Sequence, residues 1–198
     1  DDSDRAVFER MKRDNPRRYR VAGLGEWGIS EGLIYENWKE EWFNVDTIRQ
    51  IPGIMSAFGL DFGYSVDPAA LFCGLIDNQN MKIYVFDEIY KNGLTNKMLY
   101  EEIYNKGYAK ERIVADSAEP KSIAELWDCG LKKIQSASKG RDSVNNGIQR
   151  IQNYEIIIHP RCVNFLTEIS NYCWEKDKFN KVTTKPVDES NHLMDAMR

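Results

Sequence analysis

Three apolar segments joined by short polar turns place the strongest constraint on how this chain can fold. They span Ile54–Phe62, Ala69–Ile76 and Lys82–Ile89, and each has the length and the β-branched or aromatic content of a strand. The connections at Ser65–Pro68 and Asp77–Asn80 are polar and rich in turn residues. Strands joined by turns this short pair in antiparallel fashion, so the sequence predicts a three-stranded meander.

Predicted helices and short strands alternate after the meander. The helices are expected at Thr95–Lys106, Pro120–Cys129, Ser143–Gln152 and Cys162–Tyr172, and the strands at Arg112–Ala115, Lys133–Ser136 and Glu155–Ile158. A polar hairpin over Trp174–Lys185 and a helix that begins near Ser190 complete the pattern. Antiparallel strands followed by this alternation predict an α/β fold, with a mixed sheet and helices on both faces.

The first 53 residues do not resemble a complete domain. A helix is expected over Asp4–Asp14, followed by two short extended segments at Tyr19–Leu24 and Leu33–Trp38, and Pro52-Gly53 signals a turn. We interpret residues 1–53 as the end of a preceding domain with its linker. Residues 54–198 then form one domain, and the chain is expected to be part of a larger protein.

The charge balance limits the kind of partner. Lys and Arg number 27 and Asp and Glu 31, which gives a net charge of −4. Proteins that coat nucleic acid usually carry a basic surplus, so this balance argues against a histone-like role. It leaves a nuclease open, because Lys and Arg can border an acidic metal site. The longest apolar runs are far shorter than the roughly 20 residues of a membrane span, and no signal peptide is recognisable.

The four cysteines indicate no metal centre. Cys73, Cys129, Cys162 and Cys173 form no CxxC pair. His159 lies three residues before Cys162, but no second Cys/His pair completes a four-ligand set, which argues against zinc. We expect buried or half-buried free thiols in a reducing cytoplasm.

Carboxylates follow two of the predicted strands. Asp61 ends the first strand of the meander, and Asp116 follows the apolar run Ile113–Ala115. A charged residue in such a place is costly unless it is at the sheet edge, is paired or binds a cation. Asp195 and His192 are three residues apart on the last predicted helix and therefore share a face.

Three carboxylates and an imidazole suit a hard divalent cation, Mg²⁺ or Mn²⁺. Two such ions can activate a water and stabilise the leaving oxygen of a phosphodiester. A simpler interpretation remains open at this point. An Asp at a strand end is commonly a turn or cap residue, and an Asp three residues after a His is commonly half of a surface pair.

Three ordered motifs resemble the nuclease domain of bacteriophage terminase large subunits. They are Gly59-Leu-Asp-Phe-Gly-Tyr-Ser-Val-Asp-Pro68, Val114-Ala-Asp-Ser-Ala-Glu-Pro120 and Asn191-His-Leu-Met-Asp-Ala-Met-Arg198. Each motif is weak alone, but the ordered set is specific and extends over residues 54–198. The resemblance implies a ribonuclease H-like fold and an endonuclease that cuts concatemeric viral DNA during genome packaging.

The resemblance also assigns roles to the four site residues. It implies that Asp61 bridges two divalent ions, with Asp116 a ligand of one and Asp195 of the other. His192 is expected to be a ligand or to orient the water or Asp195. Asp67 is better explained as a turn residue. Asp87 and Glu88 lie on opposite faces of the third predicted strand, where either could approach the ions, although a solvated strand end is the more common explanation for both.

Double-stranded DNA is the expected partner, bound through its backbone with little sequence preference. The candidate phosphate contacts are Lys121, Lys139, Arg141, Lys178 and Lys181. Residues 1–53 resemble the end of the packaging ATPase, whose phosphate-binding loop is absent from this sequence, so no ATPase activity is expected. In the whole protein the resemblance implies contacts with the terminase small subunit and the portal or procapsid, in the cytoplasm of a bacterial host.

Three other classes of function stay open. The first is another ribonuclease H-like nuclease, of the junction resolvase or transposase type, which would prefer four-way junctions to linear duplex. The second is a DNA- or portal-binding module with an inert site, whose behaviour would not depend on Asp61. The third is a purely structural interaction protein, which would bind no divalent ion.

Overall fold

The predicted meander forms the middle of a seven-stranded sheet in the computed structural model, which describes residues 32–63, 66–138, 140, 142–188 and 190–198. Its strands are β2 (Met55–Asp61), β3 (Ala69–Asp77) and β4 (Lys82–Lys91). β2 pairs with β3 and β3 with β4, both in antiparallel fashion. The meander prediction is confirmed, with strand ends within two residues of those expected.

Four short strands extend the sheet in parallel on both sides. They are β1 (Trp38–Glu40), β5 (Ile113–Ala115), β6 (Ile134–Ser136) and β7 (Glu155–Ile158). The strand order is β1-β7-β4-β3-β2-β5-β6, with β5 parallel to β2 and β7 parallel to β4. The sheet is therefore mixed, as predicted.

Six described helices connect or follow the strands. They are α1 (Val45–Arg49), α2 (Asn96–Asn105), α3 (Pro120–Cys129), α4 (Ser143–Gln152), α5 (Val163–Asn171) and α6 (His192–Met197). A two-stranded hairpin of β8 (Trp174–Lys176) and β9 (Val182–Pro186) lies between α5 and α6, where the sequence predicts it. None of these helices is both long and apolar enough to cross a membrane.

The central strand β3 is buried on both sides because helices cover both faces of the sheet. Alternate residues of β3 belong to two cores: Leu71 and Leu75 pack with residues of α2 and α3, and Phe72 packs with residues of α4, α5 and α6. Each fully buried Leu or Phe side chain contributes roughly 1.5–3 kcal/mol to stability. The prediction of helices on both faces is confirmed.

The segment before the predicted domain boundary also contributes to this sheet. β1 pairs with β7, with Lys39 in register with Ile157, although it lies before residue 54. The boundary at 53/54 stays a prediction. The expected helix at 4–14 and the extended segment at 19–24 lie outside the described residues.

Candidate active site

The ends of β2 and β5 bring two of the candidate carboxylates to the same edge of the sheet. The two strands are parallel neighbours, and Leu60 is in register with Ala115. The N–H of Asp116 still donates to the carbonyl of Leu60, at 3.0 Å. Asp61 and Asp116, the next residues along each strand, therefore leave the sheet side by side.

Helix α6 supplies the other two candidates because it packs directly on the backbone of β2. A Cβ at Gly59 would overlap the carbonyl oxygen of Ala196, so only glycine permits this approach. The Nδ1 atom of His192 lies 3.0 Å from Oδ2 of Asp61. Its Nε2 atom faces Asp67, 3.7 Å from Oδ1.

Asp61, Asp116 and Asp195 line one cleft of about 650 Å³. They come from β2, the end of β5 and α6, so residues 134 positions apart converge as the sequence analysis expects. Three basic residues, Arg112, Arg150 and Arg198, line the same cleft. The cleft thus combines three carboxyl groups with cationic side chains, an arrangement that suits a phosphodiester substrate.

The protein raises the pKa of two of these carboxyl groups. Burial is the main cause for Asp61, whose pKa is about 6, and the charges of Asp195 and Asp116 add to it, whereas the hydrogen bond with His192 opposes it. Burial also raises the pKa of Asp195, against the opposing charge of Arg198. Clustered buried carboxylates with raised pKa values mark a site that gains from a cation.

Each carboxylate has a protein partner in this structure. Asp116 accepts a hydrogen bond from the N–H of Ala118 at 3.0 Å, and Asp195 forms an ion pair with Arg198 at 2.9 Å. Arg198 also donates to the hydroxyl of Tyr172, at 3.0 Å. As the side chains stand, no three His, Cys, Asp or Glu residues in the described part of the chain are arranged to hold a metal ion.

A buried glutamate on the neighbouring helix holds the first turn of α6. Oε2 of Glu168, on α5, accepts the N–H groups of Leu193 and Met194 at 2.7 and 3.2 Å. Asn191, the residue before the helix, makes no side-chain cap of its own. Glu168 therefore caps α6 from another element of the fold.

Glu88 and Asp87, the acidic residues of β4, have structural partners instead of a place in the cleft. Glu88 accepts the N–H groups of Asn164 and Phe165, at 2.9 and 2.8 Å, and so caps α5. Asp87 accepts hydrogen bonds from Lys106 and Tyr108, at 2.8 and 2.6 Å. Neither residue lines the cleft.

The structure describes three of the five candidate DNA contacts. Lys121 is exposed at the start of α3, and Lys178 and Lys181 are exposed in the turn of the hairpin. Lys139 and Arg141 lie outside the described residues. All four cysteines are free, Cys73 and Cys162 buried and the other two half-buried, as predicted.

Sequence reasoning missed Glu168, Arg150 and Arg198. Glu168 is only 4% exposed, and a buried acid in a helix gives no sequence signal of the helix it will cap. Arg150 occupies the last turn of α4, where a basic residue also suits the helix dipole. The spacing of Arg198, three residues after Asp195, is a signal that could have identified the ion pair.

Comparisons with known proteins agree with the geometry. The sequence profile of the family described as terminase RNAseH-like domain matches residues 61–198. The large terminase subunit of Bacillus phage SPP1 is 33% identical over 204 residues, which cover 96% of this chain and 46% of that protein. The PBSX phage terminase large subunit of Bacillus subtilis (strain 168) is 27% identical over 195 residues, 94% of this chain and 44% of that protein.

The fold is also similar to a solved nuclease domain. The crystal structure of the large terminase nuclease domain from bacteriophage SPP1 with bound Mn has a TM-score of 0.74 and 32% identity to this chain. The match covers 82% of this chain and 93% of that one. The chain spans less than half of the length of the curated relatives, 46% and 44%.

Proposed function

The chain belongs to the family of terminase RNAseH-like domains, and from that membership we propose that it is a divalent-metal-dependent endonuclease that cuts concatemeric viral DNA during packaging. The observation that carries the proposal is the convergence of Asp61, Asp116 and Asp195 on one cleft, with His192 hydrogen-bonded to Asp61. A structural cap or turn role for these residues would not require three separate elements to meet at one point.

The donor set fits a divalent cation. Carboxylate oxygens are the preferred ligands of Mg²⁺ and Mn²⁺, and Mn²⁺ also accepts imidazole. The raised pKa of Asp61 supports the fit, because neighbouring negative charges contribute to it and a cation would relieve them. Asp61, Asp116, Asp195 and His192 would hold the ions after Asp61 and Asp195 turn from their present partners, His192 and Arg198.

A bound ion would supply Lewis-acid activation of water and neutralise the charge that develops on the phosphodiester. The chain's own groups bind and orient the substrate. Arg112 and Arg150 line the cleft, and guanidinium groups there would bind phosphate oxygens. The alternative role for His192 is that it keeps its hydrogen bond to Asp61 and, instead of binding an ion, orients the attacking water or takes its proton.

We propose two ions, with Asp61 shared between them, Asp116 a ligand of one and Asp195 of the other. Two-ion hydrolysis of this kind leaves 5′-phosphate and 3′-hydroxyl ends. The Mn-bound SPP1 nuclease domain supports a divalent ion in a homologous domain, and the number of ions rests on the three-carboxylate arrangement. A calorimetric titration with MnCl₂ counts them, with two per wild-type chain expected and fewer in Asp61→Asn.

Double-stranded DNA would bind through its backbone along the cleft. Lys121, Lys139, Arg141, Lys178 and Lys181 are the proposed outer contacts, and Arg112 and Arg150 the inner ones. Contacts of this type carry no base information, so cleavage by the chain should depend little on sequence. In the whole protein we propose an ATPase ahead of residue 54, contacts with the small subunit and the portal or procapsid, and action in the cytoplasm of the bacterial host.

Nicking of supercoiled plasmid tests the proposed function. The chain is incubated with MnCl₂, MgCl₂ or EDTA, beside Asp61→Asn and Asp195→Asn. We expect nicked and linear products with a divalent ion and none with EDTA. The nicking rate should fall by more than about 100-fold in each variant, because replacing a metal ligand should lower activity more than replacing a residue that only supports a ligand.

Asp77→Asn is the matched control. Asp77 is also an aspartate at a strand end of the sheet and is buried, but it ends β3 at the far end from Asp61 and accepts the N–H groups of Gln79 and Asn80. Its loss should leave nicking unchanged. Cleavage that survives both site substitutions, or no cleavage with any ion, would overturn the proposal and favour the binding module, and a preference for four-way junctions would favour a resolvase.

A further inference from the structure

The last helix of the site has no cap within its own segment, although it supplies two of the four proposed site residues. Asn191 precedes α6 with φ −125° and ψ 17° and makes no side-chain bond to the first turn. The N–H groups of Leu193 and Met194 would be left unpaired in the protein interior without another acceptor. Oε2 of Glu168 accepts both, at 2.7 and 3.2 Å.

Glu168 is itself fixed to the central sheet. It lies on α5 with only 4% of its surface exposed. The first turn of α5 has no cap from Cys162 and is held instead by Glu88 of β4, which accepts the N–H groups of Asn164 and Phe165. Two carboxylates, that of the half-buried Glu88 and that of the buried Glu168, thus connect β4 to α5 and α5 to α6.

The tolerance for movement of α6 is small. Its backbone touches β2 at Gly59, and His192 Nδ1 lies 3.0 Å from Asp61 Oδ2. A shift of α6 along its axis would therefore change the separation of His192 and Asp195 from Asp61 and Asp116. Glu168 does not line the cleft, so it acts on the site through α6 and through the electrostatic interaction of its carboxylate with His192.

We propose that Glu168 is a positioning residue, which fixes the rotation of α6 about its axis and its position along that axis so that His192 and Asp195 face Asp61. This inference rests on the proposed function for its kinetic consequence, but the contacts that carry it are independent of any metal. A displacement of about 1 Å in a reacting group can reduce a rate by roughly 100-fold, so a loss of the cap should reduce turnover rather than DNA binding.

Three variants separate positioning from general stability. Glu168→Leu keeps the size of the side chain and removes the acceptor. Glu168→Gln keeps one carbonyl oxygen for the two N–H groups. Thr95→Ala is the matched control, because Thr95 caps α2 through the N–H of Met98, at 3.3 Å, and its loss removes a helix cap that does not contact α6.

The first readout is nuclear magnetic resonance of the metal-free chain. The chain has two histidines, His159 and His192, so only two C2-proton signals have to be assigned. Both Glu168 variants remove the charge that acts on His192, but only Glu168→Leu also removes the acceptor. We therefore expect Glu168→Leu to shift the His192 signal clearly more than Glu168→Gln does, with that of His159 in place, whereas Thr95→Ala shifts neither. This measurement remains valid if the chain proves not to be a nuclease.

The second readout is nicking kinetics with MnCl₂. We expect Glu168→Leu to lower kcat by roughly 10- to 100-fold with KM for plasmid within about twofold, and Glu168→Gln to restore most of it. If Glu168→Leu does not fold, Glu168→Asp takes its place, because it withdraws the carboxylate from α6 by one methylene. An unchanged His192 signal, or a Glu168→Gln loss as large as that of Glu168→Leu, would overturn the proposal.

Discussion

At the scale of single residues, the approach of α6 to the sheet depends on the missing side chain of Gly59. The carbonyl of Ala196 occupies the place of a Cβ atom at this position. Asp195, the neighbour of Ala196, reaches the cleft from that contact, and the Asp61 carboxylate stands two residues further along β2. The same glycine therefore sets the distance between the strand and helix carboxylates.

Gly59→Ala should destabilise the fold and separate α6 from β2. Adding a methyl group to a packed interior costs about 1–3 kcal/mol when the neighbour is backbone that cannot turn aside. Urea unfolding measures this loss. Gly140→Ala is the control, since a Cβ there meets no atom within 4 Å, and its free energy of unfolding should change by less than about 0.5 kcal/mol. Equal stability of the two variants would contradict the close contact.

The local sequence is enough to identify a site residue that lies at the end of a strand or shares a helix face with another polar residue. Asp61 and Asp116 end strands, and His192 and Asp195 are spaced for one helix face, so each is visible in the sequence. Glu168 and Glu88 are not, because they bond to N–H groups 25 and 76 residues away. Such partners depend on how helices pack, which no local pattern records.

At the scale of elements, the strands and helices after residue 54 were predictable, the three-residue edge strand β6 included, whereas β1 and α1 before it were not. β3 and β4 have periodic apolar residues over nine and ten positions. β1 has three residues and meets the extended segment expected at 33–38 only at Trp38, and α1 has five residues where no element was predicted. Pairing with β7 decides the structure of β1. The last helix begins at His192 instead of near Ser190 because Ser190 has a left-handed φ of 51°.

The hairpin of β8 and β9 presents two of the proposed DNA contacts on an ordered turn. The carboxylate of Asp177 accepts the N–H groups of Phe179 and Lys181, at 2.8 and 3.0 Å, and Asn180 adopts a left-handed φ of 61°. Lys178 and Lys181 are exposed on either side of Phe179. Their charges can reach a duplex without disturbing the core.

Replacing Lys178 and Lys181 together with Gln should weaken binding to duplexes of any sequence equally. Each phosphate contact contributes about 0.9 to the slope of log K against log salt, so the double variant should reduce that slope by about 2. Fluorescence anisotropy with labelled duplexes in EDTA measures it without cleavage. Lys97→Gln with Lys110→Gln removes the same charge from α2 and the loop after it. An equal loss in that control would show a general charge effect and not a contact of the hairpin.

At the scale of the whole molecule, the half-buried carboxyl groups of Asp61 and Asp195 make the metal-free fold less stable than it could be. The folded pKa of Asp61 is about 6 against an ordinary value of 3.8. A carboxyl group with a raised pKa destabilises the folded state above that pKa, and the penalty disappears as the pH falls below the unfolded value. The helices on both faces of the sheet supply the stability that offsets this penalty.

Asp61→Asn should therefore stabilise the metal-free chain while it removes the response to metal. Near pH 7 we expect a gain of roughly 1–2 kcal/mol, seen as a rise of a few degrees in Tm, at about 2–4 °C per kcal/mol for a chain of this size. The gain should shrink between pH 6 and pH 4, because the wild-type carboxyl then takes up its proton.

Millimolar MnCl₂ should raise the Tm of the wild type, since a ligand at 100 times its Kd adds about 2.7 kcal/mol, and should leave the Tm of Asp61→Asn nearly unchanged. Thermal scans at three pH values, with and without MnCl₂, test both parts together. A variant that is less stable than the wild type without metal would mean that the hydrogen bond from His192 outweighs the burial of Asp61, and an equal response to Mn²⁺ would mean that the ion binds elsewhere.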